Sequence, residues 1–265
     1  MKKRKARVIG IIGGMGPHAG LAVFNHILNQ TNVQKDQDHL SVVLMSFPEQ
    51  IMDRSEFLFG KAGINPAESI LDIVQKLSDS GASVIGMACN TAHASRIYNV
   101  IMEVLPQINP SLHLVHMPYE TCLYIKEQLP GARRVGVLST NGTYKAGIYR
   151  RQLQALGLEP ILPDANFQSR VIHRMIYDPV FGIKAHPEDI RPEVYELWNQ
   201  AFEFFRQQQT DAVVLGCTEL GLVIKGDQIG PIKIVDSTKL LATALIREAR
   251  QPVQQELLET VQFLL

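Results

Sequence analysis

Val84-Ile85-Gly86-Met87-Ala88-Cys89-Asn90-Thr91 and Val213-Val214-Leu215-Gly216-Cys217-Thr218-Glu219 decide how this chain is read. Each is an apolar, strand-like run that ends on a cysteine followed by hydroxyl or amide side chains. The cysteines lie 128 positions apart (89 and 217). A second pair, Arg7-Val8-Ile9-Gly10-Ile11-Ile12-Gly13 and Arg134-Val135-Gly136-Val137-Leu138-Ser139, repeats at an offset of 127 (7 and 134). Two independent matches at nearly one offset point to an internal duplication. Two similar halves related by a pseudo-twofold axis would bring equivalent strand ends face to face, with one thiol on each side of a cleft. Such a cleft suits chemistry carried out from both faces of one carbon.

Outward from these runs, apolar strand-like segments alternate with helical patterns, which indicates an α/β fold with parallel strands. Strands are expected at 7–12, 41–47, 83–88, 135–139, 212–216 and 232–235. Helices are expected at 19–29, 92–105, 192–208, 238–250 and 253–264. Another, at 66–80, carries Ile70, Ile73, Val74 and Leu77 on one stripe, and one at 144–156 is ended by Gly157. The turn signals in Gln107-Ile108-Asn109-Pro110-Ser111 mark the expected boundary between halves. In simple tandem domains the stretch after Cys217 would be an orphan, so it is expected to return to the first unit. The expected architecture is two similar α/β domains with parallel-type sheets, 1–110 plus 222–265 and 111–221, with the active site in the cleft between them.

Composition narrows the class. The chain has 265 residues, 46% hydrophobic and 20% charged, with 26 basic and 26 acidic side chains. That is a soluble globular balance with no electrostatic footprint for nucleic acid. No run approaches the roughly 18 apolar residues of a membrane span. The basic start Met1-Lys2-Lys3-Arg4-Lys5 precedes a short apolar run broken by Gly10, Gly13 and Gly14, so it reads as a solvated tail rather than a signal peptide. Three cysteines without a disulfide-type pattern indicate a cytoplasmic protein with reduced thiols.

Ligands of parallel α/β sheets bind at the carboxyl ends of strands, where Cys89 and Cys217 stand. Helix N-termini expected directly after them would stabilise a thiolate or a substrate carboxylate. A free cysteine ending a buried strand can also be a plain core residue. The duplication and the polar neighbours favour function for Cys89 and Cys217, whereas Cys122, inside a helical pattern, reads as core. His39, His113 and His116 lack paired metal spacing, and no metal site is expected. His93 is either a group that tunes Cys89 or a filler of a polar gap. Glu219 is read as a helix cap or as orienting a neighbour. The glycine-rich start has the wrong spacing for a dinucleotide fingerprint.

Gly13-Gly14-Met15-Gly16-Pro17, Cys89-Asn90-Thr91-Ala92-His93 and Gly216-Cys217-Thr218-Glu219, supported by Gly182-Ile183-Lys184-Ala185, give the chain a further reading. It resembles the aspartate/glutamate racemase family of cofactor-independent amino-acid racemases, most closely the aspartate racemase branch. The matches span about Val8 to Val235. The resemblance implies a two-base mechanism. One thiolate of the pair Cys89 and Cys217 removes the α-proton from one face, and the opposite thiol returns a proton to the other. Donors must stabilise the charge that develops beside an ionised carboxylate, and Asn90, Thr91 and Thr218 are candidates. The resemblance also places Met15 near the substrate through its backbone N–H, and Arg54 and Lys184 on substrate carboxylates. A guanidinium suits that role because it binds carboxylates bidentately. Thr140, Asn141, Gly142 and Thr143, after the duplicated first strand, are candidates for backbone contacts to a carboxylate. No cofactor is expected, and no lysine pattern for pyridoxal phosphate is seen. A homodimer is the family expectation, with a small amino-acid substrate and no nucleic-acid or membrane partner. Rival readings are a same-fold enzyme acting on glutamate, a broad amino-acid set, a hydantoin or maleate, or a ligand-binding or redox-sensing relative.

Overall fold

The structure, a computed structural model, describes residues 6–251. The basic start and the helix expected at 253–264 lie outside the described residues. The first sheet contains β1 (Val8–Ile12), β2 (Val42–Met45), β3 (Ala82–Met87) and β4 (His113–Val115), in the order β2-β1-β3-β4 and all parallel. Between and after these strands run α1 (Pro17–Gln30), α2 (Arg54–Leu58), α3 (Pro66–Asp79), α4 (Ser95–Ile108) and α5 (Met117–Gln128). The second sheet contains β5 (Arg134–Ser139), β6 (Glu159–Ile161), β7 (Ala212–Gly216), β8 (Gln228–Ile229) and β9 (Ile232–Asp236). Its order is β6-β5-β7-β9-β8, with only β8 antiparallel. The helices of this part are α6 (Asn141–Ala146), α7 (Ile148–Ala155), α8 (Ala165–Phe167), α9 (Arg174–Tyr177), α10 (Pro192–Gln207), α11 (Leu220–Val223) and α12 (Ser237–Arg250). A π-helical segment, Gln168–His173, joins α8 to α9.

The strand orders carry the repeat seen in the sequence. The order β2-β1-β3-β4 corresponds to β6-β5-β7-β9, so the two repeated pairs of runs, β1 with β5 and β3 with β7, sit at equivalent central places. Central parallel strands are covered on both faces and therefore read as unbroken apolar runs. This is why the repeat is visible there and not at the edges. Among the described residues no helix is long and apolar enough to cross a membrane.

Two strands fall on the other side of the expected boundaries. His113–Val115, expected to open the second unit, pairs with β3 in the first sheet. Ile232–Asp236, expected to return to the first unit, pairs with β7 in the second. The helices after these strands are what cross over. The Cys122 and Ile125 side chains of α5 pack with Val135, Val137 and Val214 of the second sheet. The Leu241, Leu245 and Ala249 side chains of α12 pack with Ile9, Ile11 and Val84 of the first. The crossing of α12 needs a bare backbone on β3, since a Cβ on Gly86 would come within 2.9 Å of Leu245 Cδ1.

Two expected helices are interrupted. The 92–105 stretch begins as a single 3-10 turn, Thr91–His93, and Ala94 is extended (φ −63°, ψ 136°) before α4 starts. The 144–156 stretch is divided by Gly147 at φ +63°, a left-handed conformation that glycine adopts without steric cost.

Candidate active site

Cys217 follows the last residue of β7 directly, and Cys89 stands two residues beyond β3. Both thiols are free and buried, at 6% and 5% exposure for Cys89 and Cys217. Both line one small, narrow cavity at the junction of the two halves. The first half adds Met15, Arg54, Asn90 and Thr91 to its walls, and the second half adds Thr140, Tyr177, Lys184, Thr218 and Glu219. A wider vestibule of about 260 Å³ adjoins it, lined by the Gly14–His18 turn, Asp53 and Pro187 and sharing Arg54, Tyr177, Lys184 and Glu219.

On the Cys217 side, one carboxylate collects three donors. Glu219 accepts from Cys217 Sγ at 3.0 Å and from Thr218 Oγ1 at 3.1 Å through Oε2, and from Lys184 Nζ through Oε1. Burial pushes the Glu219 carboxyl up, but the Lys184 charge and these hydrogen bonds override it and hold the group below its ordinary value. Lys184 is likewise disfavoured by burial and rescued by Glu219, so it stays a cation. Burial, and next the Glu219 charge, push the Cys217 thiol well above its ordinary value. Cys217 therefore rests with its proton, donated to Glu219. Lys184 reaches this place because its loop folds tightly. A Cβ on Gly182 would lie 2.6 Å from the Asp178 backbone, and Lys184 N–H donates to the Ile176 carbonyl.

On the Cys89 side the charged group is Arg54, at 7% exposure. It opens α2, where Asp53 caps the helix by accepting from Glu56 N–H. Its guanidinium donates to two carbonyls, Met15 O at 3.1 Å and Met52 O at 3.2 Å, and its Nε is buried without a hydrogen-bond partner. Among the described residues it forms no ion pair. Burial works against this cation, yet the adjacent Cys89, Tyr177 and Asp53 hold it above its ordinary value. Behind Cys89, His93 is locked between two backbone groups. Met117 N–H donates to His93 Nε2 at 3.3 Å, so the ring proton is on Nδ1 and is donated to the Cys89 carbonyl at 2.9 Å. Burial, with the neighbouring His116, pushes the His93 pKa down to about 3.

Two strand-end thiols, each beside a charged group, on the wall of one narrow cavity define the chemistry to be matched. A family model described as Asp/Glu/Hydantoin racemase matches residues 12–245. The chain belongs to the Asp/Glu/Hydantoin racemase family. This member is 26% identical over 248 residues to the broad specificity amino-acid racemase RacX of Bacillus subtilis (strain 168), covering 90% of this chain and 96% of that protein. It is 27% identical over 173 residues to the glutamate racemase of Aquifex pyrophilus, covering 64% of this chain and 59% of that protein. Its fold matches that of Picrophilus torridus aspartate racemase with a TM-score of 0.73, at 30% identity over 94% of this chain and 97% of that one.

Within this racemase-family chain, the cavity brings together Met15, Arg54, Cys89, Asn90, Thr91, Thr140, Lys184, Cys217 and Thr218 from the sequence reading. Three other residues from that reading stand behind it. Asn141 turns toward the π-helical segment, donating to Ser169 and accepting from Gln168. Gly142 packs against Ser55 and Thr91. Thr143 joins a hydroxyl cluster with Thr91 and Thr140 that links the two halves, at 2.9 Å and 3.3 Å. The Asn90 amide is already engaged by protein partners, Tyr149 and Ser237. The helix starts expected directly after the cysteines are a 3-10 turn at Thr91–His93 ahead of α4 and the four-residue α11. The immediate charge environment is accordingly set by side chains. Sequence reasoning missed Tyr177, whose hydroxyl donates to Asp53 Oδ2 at 3.0 Å. No motif marks Tyr177, and only folding carries it to the cavity wall.

Proposed function

We propose that this chain racemises a dicarboxylic amino acid, aspartate above all, without a cofactor, using Cys89 and Cys217 as paired bases. The observation that carries this reading is one cavity walled by both strand-end thiols and by two cations, Arg54 and Lys184, from opposite halves. Cys89, which faces the Arg54 guanidinium, takes the α-proton as a thiolate. The C–H electron pair stays on the substrate and spreads into its α-carboxylate. Cys217 then delivers its S–H proton to the opposite face, leaving Cys89 as thiol and Cys217 as thiolate for the reverse turnover. Arg54, with unused donor capacity, holds one carboxylate. Lys184 holds the other by sharing its charge between Glu219 and the substrate. The likeness to an aspartate racemase across nearly the whole chain supports the substrate class.

The test is α-proton exchange in deuterated water across all amino acids, with Cys89→Ser and Cys217→Ser alongside the unmodified chain. Aspartate is expected to incorporate deuterium and racemise fastest, and each single serine variant to lose racemisation in both directions. Fastest turnover of a neutral amino acid would move the substrate to the broad-specificity class. Full activity in either serine variant would exclude the paired-base mechanism.

A further inference from the structure

Tyr149 lies on α7, outside the cavity, and is 2% exposed. It touches both cysteine-bearing strand ends. Its hydroxyl donates to Asn90 Oδ1 at 2.6 Å, and Asn90 is the residue after Cys89. Its ring lies against Gly216, the residue before Cys217, so closely that a Cβ there would come within 2.9 Å of Tyr149 Cε2. A second link runs alongside. Asn90 Nδ2 donates to Ser237 Oγ at 3.2 Å, and Ser237 donates to the Leu215 carbonyl on β7 at 2.7 Å. Tyr149, Asn90, Ser237 and Leu215 thus form one directional chain of donors, every member buried. Burial pushes the Tyr149 phenol far above its ordinary value, so its O–H remains a donor at any working pH.

We infer that Tyr149 is a positioning residue: a rigid spacer that, with Asn90 and Ser237, sets the separation of the Cys89 and Cys217 sulfurs. This rests on the paired-base reading above. A bulky phenol held between the Gly216 backbone and the Asn90 side chain resists the approach of the two strand ends, and its hydrogen bond to Asn90 resists their separation. Paired-base inversion is sensitive to this distance, because both sulfurs must reach one α-carbon. Small misplacements of reacting groups cost on the order of a hundredfold in rate. If the acid sulfur stands too far off, the carbanion waits. The hydrogen taken by the first thiolate then exchanges with solvent, and a proton returns to the same face.

That waiting gives a readout which loss of folded protein does not move. Tyr149→Phe keeps the ring against Gly216 and removes only the hydroxyl, while Ser237→Ala cuts the second link. In deuterated water, deuterium in the recovered starting enantiomer is measured against deuterium in the inverted product. Both variants are expected to raise this ratio, on the order of tenfold for Tyr149→Phe, with kcat falling more than KM. A merely structural role lowers exchange and inversion together, and an unchanged ratio in both variants would overturn the inference. Cross-linking with a series of bifunctional thiol reagents of graded length reads the separation without activity. The unmodified chain is expected to accept a narrow range of lengths, and the variants a wider one. An identical length profile overturns the spacer role even if Tyr149→Phe fails to fold, because Ser237→Ala carries the same comparison. Should the single cysteine variants prove fully active, the paired-base reading falls, while the cross-linking profile still decides whether Tyr149 sets the distance.

Discussion

Arg54, which looks like a loop arginine in the sequence, lines the cavity where the proposed reaction needs a carboxylate held. It is buried, donates to two backbone carbonyls, and has its Nε left over as a donor. Arg54→Ala is expected to cost about 1.5–3 kcal/mol in transition-state stabilisation for aspartate, the range of hydrogen bonds to charged groups. Steady-state kcat/KM for aspartate and alanine checks this. The slow rate for alanine should change little if Arg54 reads the side-chain carboxylate, and equal losses would place it on the α-carboxylate instead. His93 makes a different demand. It is buried neutral, with a pKa pushed down to about 3, while in the unfolded chain it titrates near 6.5. The unfolded state therefore binds more protons between these values. The stability His93 contributes is complete above pH 6.5 and is lost as pH falls toward 3, with a slope of up to about 1.4 kcal/mol per pH unit. Urea unfolding of the native chain and His93→Asn across this range should show the steeper acid loss only in the native chain.

At the scale of elements, the site depends on short, interrupted segments rather than on the long helices that sequence periodicity reveals best. The single turn at Thr91–His93, the five-residue α2 and the start of α6 meet where the halves touch. Gly142 marks how close that meeting is. A Cβ there would lie 2.5 Å from Ser55 Oγ, 2.9 Å from Thr91 Cγ2 and 3.1 Å from Ser55 Cα. Ser55 Oγ can rotate away, but the Ser55 backbone and the Thr91 side chain are held in α2 and in the hydroxyl cluster. Gly142→Ala is therefore expected to cost about 1–3 kcal/mol, the range for overpacking a close contact, and to lower racemisation further by pushing Thr91 and Arg54 out of place. Denaturant unfolding measures the first effect, and turnover corrected for folded fraction measures the second. Activity at the native level in a stable Gly142→Ala protein would mean that the halves can separate here without harm.

For the molecule as a whole, the exchange of α5 and α12 ties the two sheets into one unit. Each sheet is covered by a helix that follows a strand of the other, so the cleft between the cysteines is braced from outside. A ligand that engages Arg54 and Lys184 together bridges both halves and binds only the folded state. A dicarboxylate that resembles the substrate without its α-hydrogen should therefore stabilise the protein, by about 2.7 kcal/mol at a hundred times its Kd. The rise in Tm should be largely lost in Arg54→Ala, and a monocarboxylate of similar size should give much less. An equal rise with both compounds would count against a two-carboxylate site.

The local sequence is enough for the α/β class, the duplication and the pairing of Cys89 with Cys217. A central strand buried on both faces must be a continuous apolar run, and such runs can be matched by eye at a fixed offset. Arg54 and Lys184 were legible through the motifs around them. The short strands were not. β4 and β6 have three residues each, and neither they nor β9 reveal in their sequence which sheet they join. That choice belongs to free sheet edges and to where the apolar faces of α5 and α12 find cover. Tertiary structure also decided the roles of single groups. Glu219, read in the sequence as a cap or as orienting a neighbour, became the acceptor of the Cys217 S–H. Asn90, expected to touch substrate, has its amide taken by Tyr149 from 59 positions away and by Ser237 from 147. Hydrogen bonds of that sequence separation form only when folding places both partners in one buried volume, and no periodicity along the chain records them.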